Sequence, residues 1–232
     1  MIINILKETT VNPLNLIGER AGVCWGADIS NKDKNIKRAI NCILSGHGRL
    51  LEYVNVEFEA DEVSSRCVRQ IYTHLAGSPT RLQASTRYIN YDNFSYYIPD
   101  NIEKNQVALY EYNEIMKSIK KSYSRLIELG IDKEDAANVL PLGMNSKIVM
   151  KCNLRMLENF MGQRLCSRAY KEIRDFANLL RKNLIAYGES NNSDEWKMIA
   201  ENILLPKCER VGYCTESKCC GRKEKKEIEW KV

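Results

Sequence analysis

Histidine is almost missing from this chain: its 232 residues include two, His47 and His74. A serine or cysteine nucleophile needs a neighbouring base. Neither histidine adjoins a cysteine in sequence, so any such pair would have to be assembled by folding. Long apolar runs are missing too, and none approaches the ~18 residues that a membrane-spanning helix requires. Residues 1–6 are apolar, but they meet Lys7 and Glu8 at once, unlike the core of a signal peptide. A cytoplasmic location is therefore expected. In a reducing compartment the nine cysteines are core residues or metal ligands sooner than disulfides. Net charge is also slight. The 35 basic and 30 acidic residues leave +5, which suits anionic metabolites as readily as nucleic acid.

The most informative absence is local. Residues 64–91 hold Arg66, Arg69, Arg81, Arg87 and His74 but no aspartate or glutamate, in a chain that is 28% charged. Those guanidinium groups need acceptors from elsewhere in the fold or from a ligand. Residues 64–75 read as a helix. Cys67, Val68, Ile71, Tyr72 and Leu75 recur at helical spacing, with Arg66, Arg69, Gln70, Thr73 and His74 opposite. Gly77, Ser78 and Pro79 stop it. Residues 80–88 are then dense in hydroxyl, amide and guanidinium groups. The planar fork of arginine suits bidentate contact with phosphate, and backbone N–H groups with Ser and Thr hydroxyls complete an anion cradle. The physical reading is a phosphate and nucleobase pocket. A basic run taken alone is more often a solvated helix followed by a polar loop.

A chain of this length buries on the order of 70% of the surface its unfolded form exposes, and one domain is the default. Residues 1–6 alternate as a short strand. Three glycines in 17–26 suggest a tight functional connection rather than an element interior, without the spacing of a dinucleotide fingerprint or P-loop. Residues 30–45 read as a helix capped by Ser30 with Asp33 and closed by Gly46, with Ile36, Ala39, Ile40, Ile43 and Leu44 on its apolar face. Residues 53–60 alternate Val54, Val56, Phe58 and Ala60 with polar residues, which implies a sheet wet on one side and hence antiparallel.

Tyr91, Phe94, Tyr96 and Tyr97 could stack on a flat heterocycle, although an aromatic core strand is the commoner outcome. A long helix over 101–130 is scaffold or subunit interface, with apolar contacts that include Ile115, Tyr123 and Leu129. A short helix over 132–141, a strand over 146–152 carrying Lys147, and an amphipathic helix bearing Ile173, Phe176, Leu180 and Leu184 complete an α+β pattern. Cys208, Cys214, Cys219 and Cys220 fall within thirteen residues, yet no Cys-x2-Cys spacing and no nearby histidine accompanies them. A structural metal, loose thiols and a redox pair all remain open. Residues 206–232 thus read as a Cys-rich charged tail behind a 1–205 body, frayed over 222–231.

Two blocks carry a resemblance. Arg69-Gln70, His74, Ser85, Arg87 and Tyr88 form the first, with His47 and Glu52 five apart upstream of it. Leu140-Pro141, Asn153, Arg155, Leu157, Asn159, Phe160, Arg164, Ala169, Glu172 and Ile173 form the second. In order and spacing they resemble the signature pattern of the flavin-dependent thymidylate synthases, over roughly residues 14–187. Thr73 and Leu75 stand where that family has the two arginines flanking the histidine, and Gln83 stands where it usually has Glu. The spacer before Ser85 is about two residues longer and carries Arg81.

The resemblance implies a single α+β domain, an antiparallel sheet packed with long helices, assembled as a homotetramer with flavin sites at its subunit interfaces. It implies methylation of dUMP to dTMP, with methylenetetrahydrofolate as carbon donor and NADPH as reductant through FAD. The flavin performs the redox chemistry, and the protein positions flat anionic molecules. By motif position Gln70, Gln83, Ser85, Thr86, Arg87 and Arg164 hold the nucleotide, Lys147 contacts its phosphate, and Arg164 and Ser85 are the catalytic candidates. Ser85 reads as a hydrogen-bonding group rather than a nucleophile, because no base partner is evident. His47, Glu52, His74, Asn153, Arg155 and Asn159 line the flavin site, Tyr88 lies near the folate, and Arg81 replaces one of the two missing arginines. Without the resemblance, His47 reads as a histidine capping helix carbonyls. No metal, nucleic acid or membrane partner is implied. The departures leave room for a relative that alkylates or hydroxymethylates C5 of another pyrimidine nucleotide. A reading of another class is a non-catalytic nucleotide- or RNA-binding protein with salt-sensitive affinity.

Overall fold

Alternating burial builds the sheet. Strand β2 (Asn55–Ser64) buries Val56, Phe58 and Ala60, and strand β4 (Asn145–Asn153) buries Ser146, Ile148, Met150 and Cys152, each with more polar residues between. With β1 (Ile2–Ile5) and β3 (Thr80–Gln83) they form a four-stranded sheet in the order β1-β2-β4-β3. The Leu6 N–H donates to the Glu57 carbonyl at 2.9 Å, Ser65 to Met144 at 2.8 Å and Leu154 to Val54 at 3.0 Å, an antiparallel register. In β2 the buried side slips by one residue between Ala60 and Val63, at Glu62 with φ 55°, as at a β-bulge. The computed structural model describes residues 1–75, 77 and 79–226. Ser78 of the expected helix stop and residues 227–231 of the expected frayed end lie outside the described residues.

The helices are α1 (Pro13–Val23), α2 (Lys32–Leu44), α3 (Ser65–His74), α4 (Asp100–Glu103), α5 (Gln106–Glu128), α6 (Lys133–Ala136), α7 (Leu154–Arg164), α8 (Lys171–Ser190), α9 (Glu195–Asn202) and α10 (Lys207–Val211), with 3-10 turns at Gly48–Tyr53 and Ala137–Val139. No described helix is long and apolar enough to cross a membrane. The chain divides into two units. The first holds Met1–Ile2, Glu59–Tyr72 and Arg81–Val149, and the second holds Ile3–Phe58, Thr73–Thr80 and the described residues from Met150 onward.

In the first unit, Met116 and Tyr123 of α5 pack with Tyr91, Phe94, Ala136 and Met144. The aromatic segment before α5 therefore supplies core, but it is not the expected strand. A single antiparallel bridge, Tyr96 to Met144, joins it to the sheet. Aromatic packing holds it instead: the Tyr96 ring meets Phe94 and Tyr112 edge-on at 6.3 and 5.8 Å, and the Tyr112 hydroxyl donates to the Tyr97 carbonyl at 3.0 Å. The helix expected over 101–130 is interrupted between α4 and α5. There Asn105 caps α5 by accepting from the Val107 and Ala108 N–H groups, both at 3.1 Å.

In the second unit the glycines of 17–26 do not form a connection, contrary to the sequence expectation. Gly18 and Gly22 lie inside α1 and face α2. A Cβ on Gly18 would overlap the Asn35 backbone, and one on Gly22 would meet Ile29 and Arg38. Close helix approach, not loop geometry, demands them. The cap of α2 also differs from expectation. Asn31 accepts from the Lys34 N–H at 2.9 Å, while the Ser30 hydroxyl donates to Asp28 at 2.7 Å. Helix α2 buries Asn35, Ala39 and Cys42 rather than the full expected face, and Leu44 is 80% exposed.

In this unit the Phe176 ring of α8 packs against Phe58 at 6.0 Å and Phe160 at 6.2 Å. The tail packs as well. Arg210 of α10 pairs with Glu158, and the Arg222 Nη1 donates to the Leu165 carbonyl at 3.1 Å. Arg222 is therefore not frayed: it occupies the open carbonyl end of α7.

Candidate functional site

In the first unit, α3 leaves β2 without a loop. The Ser64 hydroxyl accepts from the Cys67 N–H at 3.0 Å, while the Ser65 and Arg66 N–H groups donate to Met144 and Leu142 at 2.8 and 2.9 Å. Cys67, Val68 and Ile71 are buried, which leaves Gln70 half-buried on the other side. Residues 80–83, expected as polar loop, form the exposed edge strand β3. An edge open to solvent carries no apolar alternation, so the sequence gives no signal for it.

That strand brings Gln83 and Lys147 side by side. The Gln83 amide donates to the Ser146 hydroxyl at 3.1 Å, and the Ala84 N–H donates to the Lys147 carbonyl at 2.8 Å. Lys147 in turn pairs with Glu59 at 3.1 Å. One arginine of the acid-free run finds an acceptor elsewhere in the fold, and another stacks within the run. Arg87 pairs with Glu134 at 3.0 Å, and the Arg81 guanidinium lies over the Tyr72 ring at 4.3 Å. Burial pushes the Tyr72 phenol up, with Arg81 opposing. The Ser85 hydroxyl accepts from the Arg87 N–H at 3.2 Å, and Thr86 is half-buried beside it. Tyr88 is 73% exposed.

In the second unit, Asn153 caps α7 by accepting from the Met156 N–H at 2.9 Å. The first turn then presents Arg155, whose Nη1 lies 2.5 Å from the Glu52 carboxylate. Gly77, at φ 101°, passes so close to α7 that a Cβ would come within 2.5 Å of the Met156 methyl. Glu52, Gly77, Asn153, Arg155, Met156 and Asn159 line an open cavity of about 580 Å³ that Arg210 also borders. Four of the predicted flavin residues thus share one cavity. His47 is exposed just before the 3-10 turn, and the adjoining Gly48 faces the Arg155 guanidinium.

Asn159, Arg164, Arg168 and Arg210 line a neighbouring cavity of about 680 Å³. Burial lowers the pKa of Arg164, whose Nη2 donates to the Gln163 amide oxygen at 3.3 Å. Its Nε is buried without a hydrogen-bond partner. His74 is held below the usual imidazole value by burial first and by the Arg164 charge second. Of the two departures from the family pattern, Leu75 is 2% exposed and belongs to the core, whereas Thr73 is exposed.

Arg210 went unrecognised in the sequence. It lies 52 residues from its partner Glu158, and nothing local marks the contact. Among the described residues, no three His, Cys, Asp or Glu side chains gather in a way that could hold a metal ion.

The family model for thymidylate synthase complementing protein matches residues 5–186. A flavin-dependent thymidylate synthase from Pyrococcus abyssi (strain GE5 / Orsay) is 32% identical over 199 residues, 83% of this chain and 79% of its own length. One from Clostridium tetani (strain Massachusetts / E88) is 30% identical over 244 residues, 94% of this chain and 92% of its own. Among solved structures, the flavin dependent thymidylate synthase from Helicobacter pylori complexed with FAD and dUMP aligns with a TM-score of 0.63 at 20% identity, over 83% of this chain and 100% of that one. That likeness is one of fold. With the family match running from the end of β1 into α8, the chain belongs to the thymidylate synthase complementing protein family, the flavin-dependent thymidylate synthases.

Proposed function

We propose that this chain methylates dUMP to dTMP, with methylenetetrahydrofolate as carbon donor, NADPH as reductant and FAD bound. The observation that carries the reading is the pair of motif blocks, Gln70 to Tyr88 and Asn153 to Ile173, inside a family match over residues 5–186. The residues present fit a flavin. Arg155 and Asn159 offer donors to a cavity of about 580 Å³, and the bordering Arg210 has a buried Nε without a partner. Bound FAD would supply the electron transfer.

The chain's own work is binding and orientation. His47, Glu52, His74, Asn153, Arg155 and Asn159 hold the flavin, and Arg81 adds a cation toward its phosphates. Gln70, Gln83, Ser85 and Thr86 hold the pyrimidine nucleotide, with Lys147 and Arg87 at its phosphate. Tyr88 lies near the folate. Both cations at the phosphate sit in solvent-exposed ion pairs, Lys147 with Glu59 and Arg87 with Glu134. Such pairs contribute little, ~0–1 kcal/mol, so a phosphate displaces the carboxylates at small cost and gains charge-assisted bonds of ~1.5–3 kcal/mol each. Ser85 has no base partner among its hydrogen bonds and serves as a hydrogen-bonding group. Half-buried Arg164 stabilises negative charge developing on the pyrimidine ring.

Exposed apolar side chains support a homotetramer with flavin sites at its subunit contacts. Leu44 on α2 is 80% exposed, and Val107 and Tyr110 on α5 are 73% and 63% exposed. We infer a cytoplasmic assembly whose catalytic body is residues 1–205. The test is purified protein incubated with dUMP tritiated at C5, methylenetetrahydrofolate and NADPH. The expected outcome is yellow protein absorbing near ~450 nm, with tritium released in step with dTMP formation. Colourless protein that binds polynucleotide in a salt-sensitive way would replace this reading with a binding one.

A further inference from the structure

The 680 Å³ cavity of the second unit is strongly basic: Arg164, Arg168, Lys207, Arg210, Lys218 and Arg222 line it, against the single carboxylate of Glu216. Three of these cations are neutralised, Arg168 by Glu216 at 2.5 Å, Arg222 by Glu209 at 3.4 Å and Arg210 by Glu158. Among the described residues, Arg164, Lys207 and Lys218 have no carboxylate partner. Two N–H groups on this wall, the Nε of Arg164 and the Nε of Arg210, are also buried without a hydrogen-bond acceptor. A buried cation with unmet donors is costly, and burial already lowers the pKa of Arg164. An anion against this wall relieves both costs.

Lys207 and Arg210 come from the tail, beyond the family match that ends at residue 186. Three apart on α10, they share a face, and that face stands over Gly162 of α7. A Cβ there would come within 2.6 Å of the Arg210 Nη2 and 3.9 Å of the Lys207 Cβ, so glycine is what admits the two side chains. Arg210 also borders the 580 Å³ cavity, which shares Asn159 with the larger one. Glu158 anchors its Nη1, which leaves most of the guanidinium donors for a ligand. FAD joins two flat ring systems through a diphosphate, so a flavin that occupies both cavities brings the diphosphate to their border, where Arg210 stands. The chain has exposed Thr73 and buried Leu75 where the family pattern has arginines, and Gly77 just beyond them lines the same 580 Å³ cavity as Arg210. The tail supplies the cations that this segment lacks.

Resting on the flavin reading above, we propose that Lys207 and Arg210 of the C-terminal tail are flavin-binding residues that grip the diphosphate of FAD at the border of the two cavities. The negative charges of the diphosphate match the ammonium of Lys207 and the planar donor fork of Arg210. The tail thus completes the cofactor site rather than trailing from a finished domain. Flavin binding and the docking of α10 then favour each other by the same factor.

The test titrates full-length protein with FAD, riboflavin and inorganic pyrophosphate, followed by flavin fluorescence and calorimetry. Arg210→Ala should weaken FAD binding at least about tenfold, the share of one charge-assisted bond. Riboflavin, which has no phosphate, should bind the same variant within about twofold of wild type. Pyrophosphate should displace FAD competitively from wild type and far less effectively from Arg210→Ala. Lys207 is exposed, so Lys207→Ala keeps the proposal testable if Arg210→Ala does not fold, and it should weaken FAD about threefold. Glu158→Gln breaks the same ion pair without removing the cation, so FAD should bind it at least as tightly as wild type. Equal losses in Glu158→Gln and Arg210→Ala, unchanged FAD affinity in either tail variant, or a loss shared equally by FAD and riboflavin would each overturn the proposal while leaving the flavin reading in place. Wild-type protein that binds neither flavin would end that reading and this proposal with it. None of these readouts depends on catalysis.

Discussion

Glu195→Ala should destabilise the chain far more than removal of its charged neighbour, because Glu195 caps a helix from a great distance in sequence. The residue is 3% exposed, and its Oε2 accepts from the Leu14 and Asn15 N–H groups at 2.7 and 3.0 Å. Those are among the first free amides of α1, whose own N-cap residue Asn12 makes no side-chain cap bond. The carboxylate also meets the positive end of the helix dipole. Two hydrogen bonds to a charged acceptor at ~1.5–3 kcal/mol each point to a loss of ~3–5 kcal/mol, the range seen when one partner of a buried charged contact is removed.

Lys32 lies 3.3 Å from the other oxygen but is 52% exposed, so Lys32→Ala should cost only ~0.5 kcal/mol. Glu195→Gln keeps an acceptor oxygen and loses the charge, and should fall between the two at ~1–2 kcal/mol. Against a typical total of ~5–15 kcal/mol, the alanine change removes a large share. Urea unfolding of the three variants, compared at unchanged slope, measures these differences. A Glu195→Ala protein within ~1 kcal/mol of wild type, or no less stable than Lys32→Ala, would refute the capping argument.

Phe176→Ala empties the contact with Phe58 and Phe160 and should cost ~3–5 kcal/mol in the same urea experiment. Arg155→Ala breaks an exposed pair with Glu52, so stability should change by less than ~1 kcal/mol while absorbance from bound flavin falls. Retained flavin at wild-type occupancy would remove Arg155 from the proposed site. His74 has its folded pKa depressed below the ordinary 6.5, so the unfolded chain binds the proton first as pH falls. Stability should therefore decline as pH drops from about 6.5 through the folded value, and His74→Gln should flatten that part of a denaturation-midpoint profile. Burial pushes the Cys152 thiol up to about 12, so iodoacetamide at neutral pH should label it only after unfolding.

Much of the fold was legible because burial leaves a periodic trace. The alternation of Val54, Val56, Phe58 and Ala60 marks β2, and the spacing of Ile173, Phe176, Leu180 and Leu184 marks α8. Other features leave no such trace. Gly18 and Gly22 read as loop glycines because close helix packing and loop conformation ask for the same residue. Strand β3 has no buried face, and the aromatic segment around Tyr96 packs by its rings without a ladder of backbone bonds. Within the site, Arg155 and Glu52 could be matched to a family pattern, but their ion pair could not be read from either residue's neighbours. Arg210 and Glu195 were invisible for the same reason, since their partners are distant in sequence.

Taken by itself, the order of residues determined the α+β class, the main strands and helices, and the family, because each is written in spacing along the chain. Tertiary structure alone decided which carboxylates answer Arg87, Lys147 and Arg155, and that Leu75 fills core where a cation was expected. Those outcomes depend on through-space distance, and electrostatics and packing act over a few ångströms regardless of how many residues lie between.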